Sequence, residues 1–282
     1  PAVVDVPISI CSGARVVDVA AGSDIVVVVA CDDGGRLVHL EVTTCAASVA
    51  NLFLLGEPVA VATAPPGHVV AFADGRLERV TTTGSTELTW GHATGFVRRL
   101  ASAPDGILAG LGPDGVGVLG GPFGASGHFE KVVGEDVAAF PGGVAILLGG
   151  ALARVRLVRA EEGSVDIRLD DCGGVLGIAS DAWSPGFLAA GCSNRLFMVD
   201  ASLNDATSTP LQATGRPVLA RGVAFLPTEA GLGAVGPTGL YDVLESPLAP
   251  RVALADGRLL ALLPAGLRIA SPYRGLTPCG PP

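Results

Sequence analysis

One pattern repeats along the whole chain, with a period of roughly 40 residues. Each repeat has a turn, a short run of small and aliphatic residues, and a second turn ending in glycine or asparagine. The turns carry Pro-x-Gly or Asp-Gly, which favour β-hairpins because proline presets φ and glycine accepts a positive φ. Each apolar run is therefore predicted to be a strand between two hairpins. The seven runs are 25–30, 68–73, 107–111, 144–148, 187–191, 232–235 and 258–263.

The period matches the length of a four-stranded blade of a β-propeller. The near-continuous apolar runs are typical of a strand buried on both faces, which makes each run the second strand of its blade. More alternating segments such as 165–169 suit an outer strand with one wet face. The sequence predicts an all-β fold: a seven-bladed β-propeller of four-stranded antiparallel blades, forming a single domain over residues 1–282.

The repeat is least regular near the end of the chain. Gly239 and Gly266, which close the sixth and seventh repeats, are closer together than the other pairs, so one strand is expected to be missing or degenerate near 246–250. The last blade also lacks an outer strand after 267–270. Residues 3–10 belong to no blade and are predicted to supply that strand, closing the propeller and removing open sheet edges. The alternative is a six-bladed propeller with one irregular hairpin.

The positions of the six cysteines agree with the predicted repeat. Two pairs have the same spacing and fall at the same place in the repeat, which leaves one further pair near the closure of the chain ends. The predicted disulfides are Cys11–Cys31, Cys172–Cys192 and Cys45–Cys279. Disulfides predict export to the periplasm, cell surface or extracellular space, whereas the alternative is six reduced thiols in a cytosolic protein. The sequence has no Cys-x-x-Cys pair, which disfavours a zinc site.

Composition and net charge limit the kinds of partner that the chain is expected to bind. Mean hydropathy is +0.53, yet no apolar run reaches the roughly 18 residues that a membrane-spanning helix needs. The net charge of −9 and the absence of a Lys/Arg cluster disfavour nucleic acid and membrane as partners. Lys131 is the only lysine, and the prevalence of Ala, Gly, Val and Pro indicates a bacterial source of high GC content.

No catalytic, cofactor-binding or metal-ligating residues are predicted, and no cofactor is expected, because no constellation of polar groups stands out. Acidic residues do recur in turns that a propeller places on one side, and this side could bind a cation or a basic partner. Aspartate is also a good turn residue, which is the simpler explanation. The predicted binding residues are Asp32, Asp33, Asp74, Asp114, Asp170 and Asp171, with Glu135 and Asp136 in similar turns. Trp183 is a further candidate contact residue.

In its whole-chain repeat the sequence resembles the β-propeller superfamily of exported bacterial proteins with WD40-like or quinoprotein-like repeats. It lacks the Gly-His and Trp-Asp signatures of WD40 repeats, so the resemblance implies architecture and transfers no functional residue. The sequence favours a non-catalytic binding or scaffold module making protein–protein contacts in an envelope or extracellular assembly. The alternatives are a carbohydrate-binding propeller, and a hydrolase or lyase using carboxylates of the Asp-rich turns.

Overall fold

A computed structural model of the chain describes residues 2–22, 25–41, 44–89, 96–181, 186–236, 239–244, 248–254, 257–272 and 277–279, with the backbone alone at 46–51 and 239–244. Within these residues the chain forms seven four-stranded antiparallel sheets and one 3-10 helix. The seven-bladed β-propeller prediction is confirmed. The six-bladed alternative is wrong.

The first strand of the chain is β1 (Ala2–Pro7). Blade 1 contains β2 (Arg15–Ala21), β3 (Ile25–Cys31), β4 (Gly34–Glu41) and β5 (Ala46–Leu54). Blade 2 contains β6 (Pro58–Ala64), β7 (Gly67–Phe72), β8 (Leu77–Thr81) and β9 (Gly84–Glu87). Blade 3 contains β10 (Arg99–Ser102), β11 (Leu108–Leu111), β12 (Val116–Leu119) and β13 (His128–Glu130), with the 3-10 helix (Gly121–Phe123) between its last two strands.

Blade 4 contains β14 (Asp136–Phe140), β15 (Gly143–Leu148), β16 (Arg154–Arg159) and β17 (Gly163–Arg168). Blade 5 contains β18 (Val175–Ser180), β19 (Phe187–Cys192), β20 (Arg195–Asp200) and β21 (Asp205–Pro210). Blade 6 contains β22 (Val218–Ala220), β23 (Val223–Thr228), β24 (Gly231–Gly236) and β25 (Gly239–Leu244). Blade 7 contains β26 (Pro250–Ala253), β27 (Leu259–Leu263) and β28 (Gly266–Ser271), and β1 is its fourth strand.

Pairing of the two chain ends completes blade 7, as predicted. Strand β1 runs antiparallel to β28, with Val4 opposite Ile269 and Asp5 opposite Arg268. The Arg268 Nε atom donates to Asp5 Oδ1 over 2.7 Å, and this ion pair lies on the exposed side of the strands. The N-terminal strand therefore covers what would otherwise be an open edge of β28.

The sixth repeat differs from its prediction by one hairpin. The run 232–235, predicted to be the second strand of blade 6, lies in β24, which is the third strand. The second strand is β23, and the turn before it is Arg221-Gly222, where both residues have positive φ. This turn has neither Pro-x-Gly nor Asp-Gly, whereas the later segment Pro237-Thr238-Gly239 fits Pro-x-Gly and led to the misplaced prediction. With β23 as the second strand, the distance along the chain from blade 6 to blade 7 matches that of the other blades. No strand is missing there: β25 ends before 246–250 and β26 begins at residue 250.

The described residues fall into two compact units. Unit 1 comprises residues 1–89, 96–100 and 251–282 and holds blades 1, 2 and 7; unit 2 comprises 90–95 and 101–250 and holds blades 4, 5, 6 and most of blade 3. Each has its own apolar core between neighbouring blades, including Val27 and Leu260 in unit 1 and Leu147 and Leu188 in unit 2. The extent of the whole chain as a single domain stays a prediction.

All six cysteines are paired, and the three predicted disulfides are confirmed: Cys11–Cys31, Cys45–Cys279 and Cys172–Cys192. Two of them join the turn before a blade to the end of its second strand. The third ties the C-terminal segment to the turn between β4 and β5. The described part of the chain contains no helix long and apolar enough to cross a membrane.

Buried aspartates join neighbouring blades within each unit. In unit 1, the Val61 backbone N–H donates to Asp18 Oδ2 over 3.1 Å, and Arg251 Nε lies 2.6 Å from Asp18 Oδ1. In unit 2, the Ile178 backbone N–H donates to Asp136 Oδ2 over 3.0 Å. Both aspartates belong to an Asp-Val-Ala-Ala sequence in the first strand of a blade. Asp136 is thus buried in β14, and its predicted position in a turn is wrong.

Candidate binding surface

The six predicted binding carboxylates all lie exposed in turns of the predicted type. In unit 1, Asp32 and Asp33 lie between β3 and β4, and Asp74 lies between β7 and β8. In unit 2, Asp114 lies between β11 and β12, whereas Asp170 and Asp171 lie between β17 and β18. The other candidate contact residue, Trp183, lies outside the described residues.

Three of these carboxylates bond to polar groups nearby. Asp32 Oδ2 accepts a hydrogen bond from Ser12 Oγ over 2.7 Å, and Asp33 Oδ2 pairs with Arg36 over 2.7 Å. Asp74 accepts from both the Nε and the backbone N–H of Arg76, and these bonds hold the pKa of the Asp74 carboxyl below its usual value. Asp33 and Asp74 therefore brace their own turns, which agrees with the preference of aspartate for turns, and Asp32 links its turn to residue Ser12. A binding role for them stays a prediction.

A metal centre is not found in the part of the chain that the structure describes. No group of three or more His, Cys, Asp or Glu side chains there is arranged to hold a metal ion. His39 of β4 and His68 of β7 do come together, with ring centroids 5.6 Å apart and an angle of 69° between the ring planes.

Four turns of unit 1 are joined into one surface, which we call the blade 1–2 turn surface. It is formed by residues 11–15, 31–36, 53–57 and 72–76. The Cys11–Cys31 disulfide and the Ser12–Asp32 hydrogen bond join the first turn to the second. Arg15 then pairs with Glu57 over 2.9 Å, which joins the first turn to the third.

Arg76 fixes the third turn to the fourth. Its Nη2 donates to the Leu55 carbonyl oxygen, and its guanidinium lies over the Phe72 ring, 4.7 Å from the centroid. The Ala73 backbone N–H also donates to the Glu57 carbonyl over 2.9 Å. A side chain at Gly56 would collide with the Arg76 guanidinium, so glycine allows this close approach. The turns are therefore held in place before any partner arrives.

Two large apolar side chains project from this surface. Phe53 is 55% exposed and Leu55 is 70% exposed, whereas Leu54 between them is buried. Exposure thus alternates from Phe53, near the end of β5, to Leu55, the first residue after this strand. The Arg36 guanidinium lies 4.5 Å from the centroid of the Phe53 ring and fixes its orientation. Aromatic and arginine side chains are the types enriched where proteins bind one another.

Charge on the blade 1–2 turn surface is layered. The carboxylates of Asp33 and Asp74 are 64% and 53% exposed, whereas their partners Arg36 and Arg76 are 14% and 30% exposed. The guanidiniums lie beneath, against the rings of Phe53 and Phe72, and the carboxylates lie outside. The outermost charge around Phe53 and Leu55 is thus mainly negative, with the exposed Arg15 of the Arg15–Glu57 pair as the exception.

The apolar residues of this surface were missed by the sequence analysis, although the sequence contains a signal for them. Residues 52–55 read Leu-Phe-Leu-Leu at the end of an outer strand. An outer strand buries one side only, so a run of four large apolar residues must leave some of them exposed. The stacked arginines were overlooked because the turn pattern does not give side-chain orientation: Arg36 stacks on Phe53 of the neighbouring strand, and Arg76 stacks on Phe72 within one hairpin.

Comparison with known proteins shows the fold. No protein-family model matches the chain, and no curated protein matches it in sequence. Virginiamycin B lyase from Staphylococcus aureus is similar in structure, with a TM-score of 0.71 at 10% identity over 95% of this chain and 98% of that one.

Two further solved structures are comparable. A streptogramin B lyase gives a TM-score of 0.67 at 11% identity over 95% of this chain and 96% of that one. A chain of the mitotic checkpoint complex gives 0.68 at 15% identity over 96% and 95%. At these identities the similarity shows the propeller fold alone, which lyases and a subunit of a protein complex both adopt.

Proposed function

We propose that this protein is a non-catalytic binding and scaffold module that makes protein–protein contacts as a subunit of a bacterial envelope or extracellular assembly. The observation that carries the proposal is the blade 1–2 turn surface, where Phe53 and Leu55 are exposed among charged residues that are already paired. Exposed apolar residues rimmed by polar ones are typical of sites where proteins associate.

Rigidity supports the same function. A disulfide, two stacked arginines and backbone hydrogen bonds hold the four turns of this surface. A surface ordered in advance loses little conformational entropy when a partner binds, so more of the contact energy contributes to affinity. The three disulfides also support export, since such bonds persist in oxidising compartments.

The two other functions have less support. A carbohydrate-binding role depended on Trp183, which lies outside the described residues. A lyase role has the fold shared with the streptogramin and virginiamycin lyases in its favour, but fold alone does not carry an activity over. Incubating the protein with streptogramin B antibiotics and following them by mass spectrometry would reveal a lyase.

Affinity capture from a native envelope or culture-supernatant fraction tests the proposal. The variant Phe53→Ser/Leu55→Ser removes both apolar side chains, and Leu203→Ser is the matched control because Leu203 is 72% exposed in unit 2, in the turn between β20 and β21. We expect the wild-type protein and the Leu203→Ser variant to retain the same protein partner, and the double variant to lose it. Recovery of no protein above background by the wild type would contradict the proposal.

A further inference from the structure

We infer that the blade 1–2 turn surface binds a protein segment in which large apolar side chains alternate with lysine or arginine. This inference rests on the proposed function and adds the chemistry of the partner. It follows from two features of the same surface: the outward apolar pair Phe53 and Leu55, and the carboxylates that surround them.

The apolar pair sets the first requirement. Phe53 and Leu55 are two residues apart and both exposed, and the Phe53 ring is held by Arg36. Water leaves these side chains only if the partner covers them with apolar groups of its own. A purely charged segment would leave that apolar area wet and would gain little from it.

The layered charge sets the second requirement. A partner approaching Phe53 first meets the outer oxygens of Asp33, whereas the Arg36 guanidinium beneath is largely covered. Asp74 and Arg76 are arranged in the same way, with the carboxylate outside and the guanidinium beneath it. A cationic group on the partner can add a hydrogen bond to each outer carboxylate without breaking the existing pair, because a carboxylate accepts several donors. An anionic group would meet the like charge of the exposed carboxylates of Asp33 and Asp74 before it reached the guanidiniums beneath them.

The charge of the whole chain acts in the same direction. The net charge is −9, so a basic segment is attracted over a distance and an acidic one is repelled. Both the local and the overall charge therefore favour a basic, apolar partner over an acidic, apolar one.

Three labelled synthetic peptides test the inference by fluorescence anisotropy on the full chain. One alternates leucine and lysine, one alternates leucine and glutamate, and one alternates serine and lysine. We expect the wild-type protein to bind the leucine–lysine peptide most tightly, and Phe53→Ser/Leu55→Ser to weaken that binding about tenfold or more. Leu203→Ser should bind as the wild type does. Leu55→Ser alone leaves the Arg36–Phe53 stack in place and should also weaken binding of the leucine–lysine peptide.

A second double variant tests the contribution of the carboxylates. Asp33→Asn/Asp74→Asn should weaken the leucine–lysine peptide and reduce the dependence of its affinity on salt, because charge attraction is screened by ions. The inference is overturned if the serine–lysine peptide binds as tightly as the leucine–lysine peptide, if the leucine–glutamate peptide binds best, if the Phe53→Ser/Leu55→Ser variant is unaffected, or if no peptide binds.

These failures are distinct from failure of the proposed function. If the wild-type protein captures a native partner that both Phe53→Ser and Leu55→Ser abolish, while no peptide binds, the protein-binding function stands and the partner chemistry is wrong. If neither a native partner nor a peptide binds, both are wrong.

Discussion

Replacement of Asp136 should destabilise unit 2 through a junction of three blades. Asp136 begins β14 of blade 4, and its side chain is 5% exposed. Its Oδ2 accepts from the Ile178 backbone N–H of blade 5 over 3.0 Å and lies 2.8 Å from Arg216 Nε, which precedes β22 of blade 6. Arg216 also donates to the Ile178 carbonyl over 2.8 Å.

The expected cost follows from these contacts. Hydrogen bonds to a charged group contribute about 1.5–3 kcal/mol, and breaking a buried ion pair by removing one partner costs about 3–5 kcal/mol. Arg216 is partly exposed and keeps its bond to the Ile178 carbonyl, so we place Asp136→Ala at about 3 kcal/mol. Asp136→Asn retains an oxygen acceptor but loses the charge and should cost about 2 kcal/mol.

Urea unfolding followed by circular dichroism measures these differences. A double-mutant cycle of Asp136→Asn with Arg216→Gln should give a coupling of about 1–2 kcal/mol, since the two side chains contact each other. Asp166→Asn is the control, because Asp166 pairs with Arg154 and Arg156 at the surface and such pairs contribute about 1 kcal/mol or less. A loss below about 1 kcal/mol for Asp136→Ala, or no coupling to Arg216, would refute this reasoning.

Three further changes are predicted. Replacing the Cys45–Cys279 disulfide by serines should lower the free energy of unfolding more than replacing Cys11–Cys31, because loop entropy gives upper values of about 5 and about 3 kcal/mol for separations of 234 and 20 residues; guanidinium unfolding of both variants compares them. Deleting residues 1–7 should expose the edge of β28 and produce oligomers on size-exclusion chromatography. Hydrogen bonding from the Arg156 guanidinium lowers the pKa of Asp166 in the folded state. The ionised Asp166 therefore stabilises the fold at neutral pH, and this stabilisation is lost as the pH falls through the lowered pKa. The difference in unfolding free energy between wild type and Asp166→Asn should shrink over that range.

Much of the fold could be predicted from sequence because its signals are local. Hairpin turns are encoded within a few residues, and the equal spacing of Cys11–Cys31 and Cys172–Cys192 fixed the phase of two blades. The sixth blade was misplaced where this local code is weak: the turn at Arg221-Gly222 lacks proline and aspartate. The segment Pro237-Thr238-Gly239 fits Pro-x-Gly, so the sequence pattern placed the second strand of this blade one hairpin too far along the chain.

The candidate surface was predictable only in part. The turn positions of Asp33 and Asp74 followed from the repeat, but their pairing with Arg36 and Arg76 places the carboxylates outside and the guanidiniums beneath. That layering depends on the ring of Phe53, which comes from β5, and on the ring of Phe72 at the end of β7. Likewise, Asp136 has the residue type of a turn, yet contacts from two other blades determine its burial. Such long-range contacts leave no periodic trace in the sequence.

Photo-crosslinking from the blade 1–2 turn surface tests the central claim most directly. A benzophenone side chain is placed at position 55 in one variant and at position 203 in a second, and both are irradiated in the native envelope or extracellular fraction. The two leucines are equally exposed but lie in turns of different units. We predict that position 55 forms one discrete crosslinked protein adduct and that position 203 does not. Absence of an adduct at position 55, or the same adduct from both positions, would contradict the assignment of this surface as a protein-binding site.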